Sequence, residues 1–397
     1  MAEHHAATGS VDRPAEPGRT ETGTSYPALG DTRDMEPSET DRLQPPAPLA
    51  HLIALAVDIQ RAASDDTEHE EAWPVIEAMK DYGGEALKAG LVLLESDDPT
   101  ERVVGCDLLG QLSNPGETLW GPEVASALVR LAERETDTDV WWSLAGALGH
   151  TWSSIGAPVL ARLASHPDVG VRLQVACALP NCAEGADPEI AVPPLLALME
   201  DEDELIRDWA TFAIARQMDV DGHNVRNALA AHIDDEDPET RDEALVGLAR
   251  RRDPRALPIV VARLQEPSVG ELVVEAASYL GDPTLLPILE ELAQRWDLDT
   301  DRLARALVAC DTDRRQERAR EQEAFTAELH RALAERSDGA SGGLFCERMS
   351  PWVGLVLQRP DREVHLMFDS LVRFRGDGDI PAAVKAILAD LDRDPDA

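Results

Sequence analysis

The chain has 397 residues, 43% hydrophobic and 28% charged, enough to bury a substantial core either as two or three ordinary domains or as one long array of repeats. Aromatics make up only 4% while Ala and Leu dominate, a balance that suits packed helices and argues against sandwiches and barrels. With 76 acidic residues against 37 Lys and Arg, the net charge of -39 repels phosphate backbones and argues against nucleic acid as a partner. The cysteines Cys106, Cys177, Cys182, Cys310 and Cys346 are odd in number and form no C-x-x-C pair, so neither a disulfide framework nor a zinc site is expected. No apolar run is long enough to span a bilayer and the N-terminus has no basic region ahead of an apolar stretch; a cytoplasmic protein without membrane contact is expected.

Residues 1–48 are rich in Pro, Gly, Thr, Ser, Asp and Glu without apolar periodicity, which predicts a disordered acidic tail. His4 and His5 within it could touch a metal only weakly from a mobile segment. From about residue 50 the pattern becomes short amphipathic helices punctuated by Asp, Pro and Gly, and a repeat emerges. "DPTERVVGCDLLG" at Asp98, "DTDVWWSLAGALG" at Asp137, "DVGVRLQVACALP" at Asp168, "DELIRDWATFAIA" at Asp203, "DPETRDEALVGLA" at Asp237 and "EPSVGELVVEAAS" at Glu266 align, with starts 39, 31, 35, 34 and 29 residues apart. Arg102, Arg172, Arg207 and Arg241 each stand four residues after such a start; the unit at Asp137 lacks the arginine and the one at Glu266 has neither Asp nor Arg. A second signal, at Asp187, Asp253 and Asp282, is a turn followed by a shorter helix with Pro in its first turn.

Two helices and two tight turns repeating about every 34 residues resemble the HEAT family, in particular its bacterial branch with phycobilisome-lyase-like repeats, over roughly residues 82 to 310. Helical geometry leads to the same architecture. Counted from each acidic start, positions +7 (Gly105, Leu144, Val175, Ala210, Ala244, Val273), +10 (Leu108, Ala147, Ala178, Ala213, Gly247, Ala276) and +11 (Leu109, Leu148, Leu179, Ile214, Leu248, Ala277) share one small, apolar face. No unit can bury that face alone, so the units must stack into an all-α solenoid over residues 49–310. Each leading Asp is expected to cap its helix, and each Arg at +4 to pair with an acid of the adjacent unit.

After Cys310 the repeat breaks, and residues 311–397 read as a charged helix, a Gly/Ser break at 339–343, a β-hairpin ("WVGLVLQ" and "EVHLMF" around "RPDR") and a final helix, together a small α+β C-terminal cap.

The motifs of nucleotide-binding loops, serine hydrolases and zinc peptidases are missing, so no catalytic residue is assigned and no cofactor or metal is expected. The acidic clusters at 297–301 and 377–379 do not fit a calcium loop, since position twelve counted from Asp297 is Val308. His150, His166, His223 and His232 sit near helix ends at no metal-ligand spacing, and Cys177 and Cys182 read as small hydrophobes, with a reactive pair as the alternative.

The informative set lies opposite the core face, at positions +5, +6 and +9, the side that the resemblance implies lines a concave surface. From it Asp107, Trp142, Gln174, Asp208, Trp209, Phe212, Asp242, Glu243, Glu271 and Glu275 are taken as partner-binding residues. Exposed Trp among acids suits recognition of a basic protein or peptide; the same tryptophans also suit gap-filling between repeats, and the acids a solvated face. The expected function is a non-enzymatic interaction scaffold or adaptor. The alternative implied by the resemblance is a lyase or enzyme subunit, since relatives attach bilins to cysteines, although no residue here matches a catalytic motif. Nucleic-acid binding, as in alkylation-repair relatives, would need a basic groove where this one is acidic.

Overall fold

Short amphipathic segments, each with its own turn chemistry, leave the chain little choice but paired helices. The computed structural model describes residues 48–62, 69–113, 120–183, 187–295, 301–346, 353–359, 362–367 and 379–392. The N-terminal tail with His4 and His5, and nearly all of the acidic clusters at 297–301 and 377–379, lie outside them. Helices α1 (Leu49–Ala62) and α2 (His69–Met79) open the array, followed by the pairs α3 (Gly84–Leu93) with α4 (Pro99–Gln111), α5 (Gly121–Leu131) with α6 (Thr138–His150) and α7 (Ala157–Leu163) with α8 (Val169–Ala178). The pairs α9 (Pro188–Leu198) with α10 (Glu204–Phe212), α11 (His223–Ala231) with α12 (Pro238–Arg250), α13 (Ala256–Leu264) with α14 (Glu271–Leu280) and α15 (Leu286–Arg295) with α16 (Asp301–Cys310) complete it. Second helices pack successively, α4 on α6 and so on to α14 on α16, forming one layer against which the first helices lie.

The leading aspartates act as caps. Asp98, Asp137, Asp168, Asp203 and Asp237 all have extended backbones and accept from N–H groups in the first turns of α4, α6, α8, α10 and α12, each such cap contributing about 1 kcal/mol. The sixth unit differs: α14 starts at Glu271 after Gly270, not after Glu266. The chain there must first pass α12, where a Cβ on Gly270 would come within 3.0 Å of the Asp242 carboxylate, before it can turn into a helix. All of the +7, +10 and +11 residues are buried nonetheless.

Small residues determine how closely the second helices approach. Position +12 of one helix meets position +10 of the next: Gly110 faces Ala147, Gly149 faces Ala178 and Ala215 faces Gly247. A Cβ on Gly149 would lie 2.7 Å from that of Ala178, closer than side-chain carbons approach.

The joints are also bolted by arginine. Arg102 donates to Glu135 at 2.8 and 3.0 Å, Arg172 to Asp201 at 2.8 and 3.1 Å, and Arg207 to Asp235 at 3.2 and 3.1 Å. Each acid stands two residues ahead of the next unit's cap and accepts that cap's own N–H, at 2.9 Å from Asp137, 3.0 Å from Asp203 and 3.0 Å from Asp237. Among the described residues Arg241 bonds to carbonyls of its own turn, those of Asp235 and Glu236, and no acid occupies the matching place before α14. Where α6 carries Trp141 in place of the arginine, the acid is missing too: His166 Nδ1 accepts the Asp168 N–H at 3.2 Å.

After α10 the chain makes a π-helical turn, Ala213–Gln217, which widens the helix and orphans carbonyls. Two buried arginines of the next unit take them up: Arg250 donates to Ala215 and Arg216 oxygens, and Arg251 to those of Ile214, Ala215 and Val220. Burial and the neighbouring Arg250 pull Arg251 down to about 10.

The repeat core runs from Ala56 to Cys310. A second core, Phe325, Leu329, Leu333, Leu355, Leu357, Val384, Ile387 and Leu388, joins α17 (Thr312–Ala334), a sheet and α18 (Ile380–Asp392). The sheet is antiparallel, in the order β1 (Ser341–Cys346), β2 (Val353–Arg359), β3 (Arg362–Met367). The Gly/Ser stretch read as a break is therefore largely strand β1, with Gly342 opposite Leu357 and Gly343 opposite Val356; glycines leave no side-chain alternation from which a strand could be read.

Two substitutions test the joints. Gly149→Val is expected to cost about 1–3 kcal/mol in urea unfolding through overpacking against Ala178, whereas Gly84→Ala, with open space around it, should stay near neutral. Arg207→Ala should cost about 1.5–3 kcal/mol at neutral pH, the worth of hydrogen bonds to a charged group. The Arg207 guanidinium, the Asp237 N–H and His232 hold the Asp235 carboxyl below the usual carboxylate range, against the opposing effect of burial. Its contribution is thus present above about pH 4 and disappears as pH falls through the depressed folded value, and the wild-type advantage over the variant should shrink over that acid range.

Candidate partner-binding face of the second helices

The close joints decide which residues of the expected strip can reach solvent. Three residues at position +6 are drawn into the joint, Ser143, Gln174 and Glu243 being only 2%, 7% and 8% exposed, while Trp209 and Leu272 at the same position stay half-buried. Glu275, five residues past Gly270, is 4% exposed. The expectation that Gln174, Glu243 and Glu275 lie on an open face is corrected: helices spaced by Gly and Ala come too near for these side chains to clear the neighbour. Asp107, Trp142, Asp208, Trp209, Phe212 and Asp242 remain half-buried, and Glu271 is exposed.

The structure brings these residues together in two sets of different electrostatic character. Toward α14 the acids are met by arginines. Arg216, at the π turn, donates to Glu243 at 3.2 Å and to Glu275 at 2.8 Å, so one guanidinium ties α10, α12 and α14. It stands 5.7 Å over the Phe212 ring, and Phe212 meets Trp209 edge to face with centroids 5.8 Å apart. Tyr279 donates to Glu275 at 3.4 Å, Arg302 Nε lies 3.5 Å from the other Glu275 oxygen, Arg302 also pairs with Glu271, and Arg263 pairs with Asp242 at 2.5 Å.

Asp208 and Asp107 lack such company. Burial, then Glu243, Asp237 and Glu239, push Asp208 up to about 7. Burial raises Asp107 to about 7 as well. Glu243 also reaches about 7, through burial opposed by Arg216, and its Oε2 has no hydrogen-bond partner among the described residues. Trp142 packs its ring edge against the bare backbone of Gly170 at the head of α8, so it fills the joint while leaving part of its ring open.

Burial pushes the Cys177, Cys182 and Cys310 thiols up to about 12, which leaves them protonated and weakly nucleophilic at neutral pH. Among the described residues no group of three or more His, Cys, Asp or Glu is placed to hold a metal ion. His232, expected near a helix end, follows α11 directly and is 5% exposed with Nδ1 3.0 Å from Asp235. Arg216 was not singled out from the sequence, although the signal existed: it falls thirteen residues after Asp203, as Arg250 does after Asp237.

A family model for HEAT repeats matches residues 225–309, from α11 to α16. Protein YibA of Escherichia coli K12 is 35% identical over 106 residues, 27% of this chain and 38% of that protein, so the chain spans well under half of the curated relative it matches. An X-ray structure of YibA from Escherichia coli aligns with a TM-score of 0.49 at 22% identity, covering 67% of this chain and 97% of that one. The complex of CpcE and CpcF of phycocyanin lyase from Nostoc sp. PCC7120 aligns with a TM-score of 0.36 at 15% identity, over 56% of this chain and 92% of that one. No helix among the described residues is long and apolar enough to cross a membrane.

The raised carboxyls make a signed prediction. Asp208 keeps its proton in the folded chain up to about pH 7, while in the unfolded chain it loses it near pH 4. Below about pH 4 both states are protonated and nothing is lost; the cost of the buried charge grows as pH rises and is complete above about pH 7. Asp208→Asn should therefore raise the melting temperature at about pH 8 and leave it unchanged near pH 4, as read by calorimetry.

Proposed function

We propose that this HEAT-repeat protein is a non-enzymatic scaffold or adaptor that holds a protein or peptide with exposed basic residues along an acidic, Trp-containing concave surface of its second-helix layer. The observation that carries the reading is the combination of half-open rings at Trp142, Trp209 and Phe212 with the carboxylates of Asp107 and Asp208, which are paired with no cation among the described residues. Half-buried Trp beside desolvated carboxylates is the composition of an interface anchor, since the ring supplies area at low entropic cost and the acid selects the sign of the partner. Gln174, Asp242, Glu243, Glu271 and Glu275 shape the floor and rim of that surface, most of them held by their own arginines. The overall charge of -39 favours the same class of partner and disfavours nucleic acid.

A tagged full-length chain should capture a basic protein from its native lysate, and the Trp142→Ala/Trp209→Ala variant should lose it at unchanged helicity, as read by mass spectrometry and circular dichroism. Retention by the variant, or capture of acidic proteins only, contradicts the reading.

A further inference from the structure

The imidazole of His232 stands where two units meet and has more acceptors around it than a neutral ring has protons. It follows α11 directly, is 5% exposed, and each ring nitrogen faces a carboxylate. Nδ1 lies 3.0 Å from Asp235 Oδ2, and Nε2 lies 3.4 Å from Oε1 of Glu200, on the turn after α9. Asp235 is an ionised acceptor, since it takes both arms of Arg207 and the N–H of Asp237, so Nδ1 carries a proton and donates to it. A neutral ring then has only a lone pair at Nε2. That atom is shielded from solvent, has no hydrogen-bond partner among the described residues and faces a carboxylate oxygen, so two acceptors meet with no hydrogen between them. The opposite tautomer only moves the mismatch to Asp235. At the joints held by Glu135 and Asp201, the residue three places before the acid is Ala132 or Leu198, neither of which can take up a proton.

We propose that His232 is a proton-operated fastener between the unit of α9 and α10 and the unit of α11 and α12: a proton taken up from solvent at Nε2 makes the ring a donor to Glu200 as well as to Asp235. Loss of that proton breaks the bond to Glu200 and leaves the one to Asp235 in place. Glu200 is itself largely exposed, so a small movement of its side chain admits the proton and then closes on the ring. Imidazole changes charge between about pH 5 and 8. The added bond belongs to the charged ring alone, so its contribution is present toward pH 5 and disappears as pH rises toward 8. The other charged groups at this joint are already engaged: Arg207 by Asp235, Arg241 by the carbonyls of Asp235 and Glu236, and Asp201 by Arg172. The two guanidiniums oppose a further cation, but they are tied to Asp235 and its turn, whereas the carboxylates of Asp235 and Glu200 meet the ring nitrogens directly. Acid thus fastens together the two units whose second helices carry Trp209 and Asp242.

The full-length chain carrying isotope-labelled histidine is followed by nitrogen NMR, with the His232 ring signals assigned by their loss in His232→Gln. As pH is taken from about 8 to about 5, Nε2 should change from a bare to a protonated nitrogen while Nδ1 stays protonated throughout. Glu200→Gln should lower the proton affinity of the ring about two- to fivefold, the range of an ion pair with one exposed partner, and the exposed control Glu202→Gln should leave it unchanged. Amide hydrogen exchange in the first turns of α10 and α12 then reads the joint. Because Asp107, Asp208 and Glu243 also titrate at about 7, the response is taken as the difference between wild type and His232→Gln. The protection advantage of the wild type should be about two- to fivefold larger near pH 5.5 than near pH 8. If His232→Gln does not fold, Glu200→Gln, altered at the surface, takes its place in both comparisons. A neutral ring protonated at Nε2 instead of Nδ1, a proton affinity untouched by Glu200→Gln, or a protection advantage that does not grow toward acid overturns the fastener.

Discussion

A carboxylate two residues ahead of a helix cap serves two neighbours at once. Asp201 accepts the N–H of Asp203, which fixes the turn in its own unit, and takes both arms of Arg172 from the unit before. The local turn and the stacking contact are thus one hydrogen-bond system, and neither can form fully without the other. Glu135 and Asp235 repeat the device at their joints. This coupling turns a set of short helices, none stable alone, into an array whose nearest-neighbour terms are large compared with the stability of any single unit. The small-on-small contacts of Gly149 with Ala178 and of Ala215 with Gly247 depend on it, because close approach has value only when the helices are held in register.

The same spacing creates the charged interior. Once the second helices are close, polar residues beside the joint lose solvent, and the chain solves this differently along its length. Arg216 ties Glu243 and Glu275 together from a π turn whose loosened carbonyls are gathered by Arg250 and Arg251, although burial still raises the Glu243 carboxyl to about 7. Asp107 and Asp208 receive no such compensation, and their carboxyls rise toward neutrality. Residues that a folded chain keeps at a loss are where binding energy is available to a partner, since pairing them removes an existing cost.

Much of the fold was legible in the sequence because its signals are local. The Asp caps, the Arg at +4 and the small apolar face at +7, +10 and +11 depend on neighbours within a turn or one repeat away. The misreadings have a common origin in distances that sequence does not encode. Gln174 and Glu243 looked open because a helical wheel assigns direction but not the gap to the next helix, and that gap is set by residues four to six positions further on. The start of α14 was placed at Glu266 instead of Gly270 because the acidic signature had degenerated and the turn geometry depends on α12. Strand β1 was hidden by Gly342 and Gly343, which carry no pattern.

The ladder lies along the turns, at the heads of the second helices, while their tails meet through apolar contacts. A stack fastened by directional bonds along one line and by non-directional packing elsewhere behaves like a beam with a stiff fibre: it resists stretching along that line and yields by flexing about it. At the joint after α8, Pro180 stands where its neighbours place a glycine or alanine. Flexing about that line changes the separation between Trp142 on α6 and Trp209 on α10.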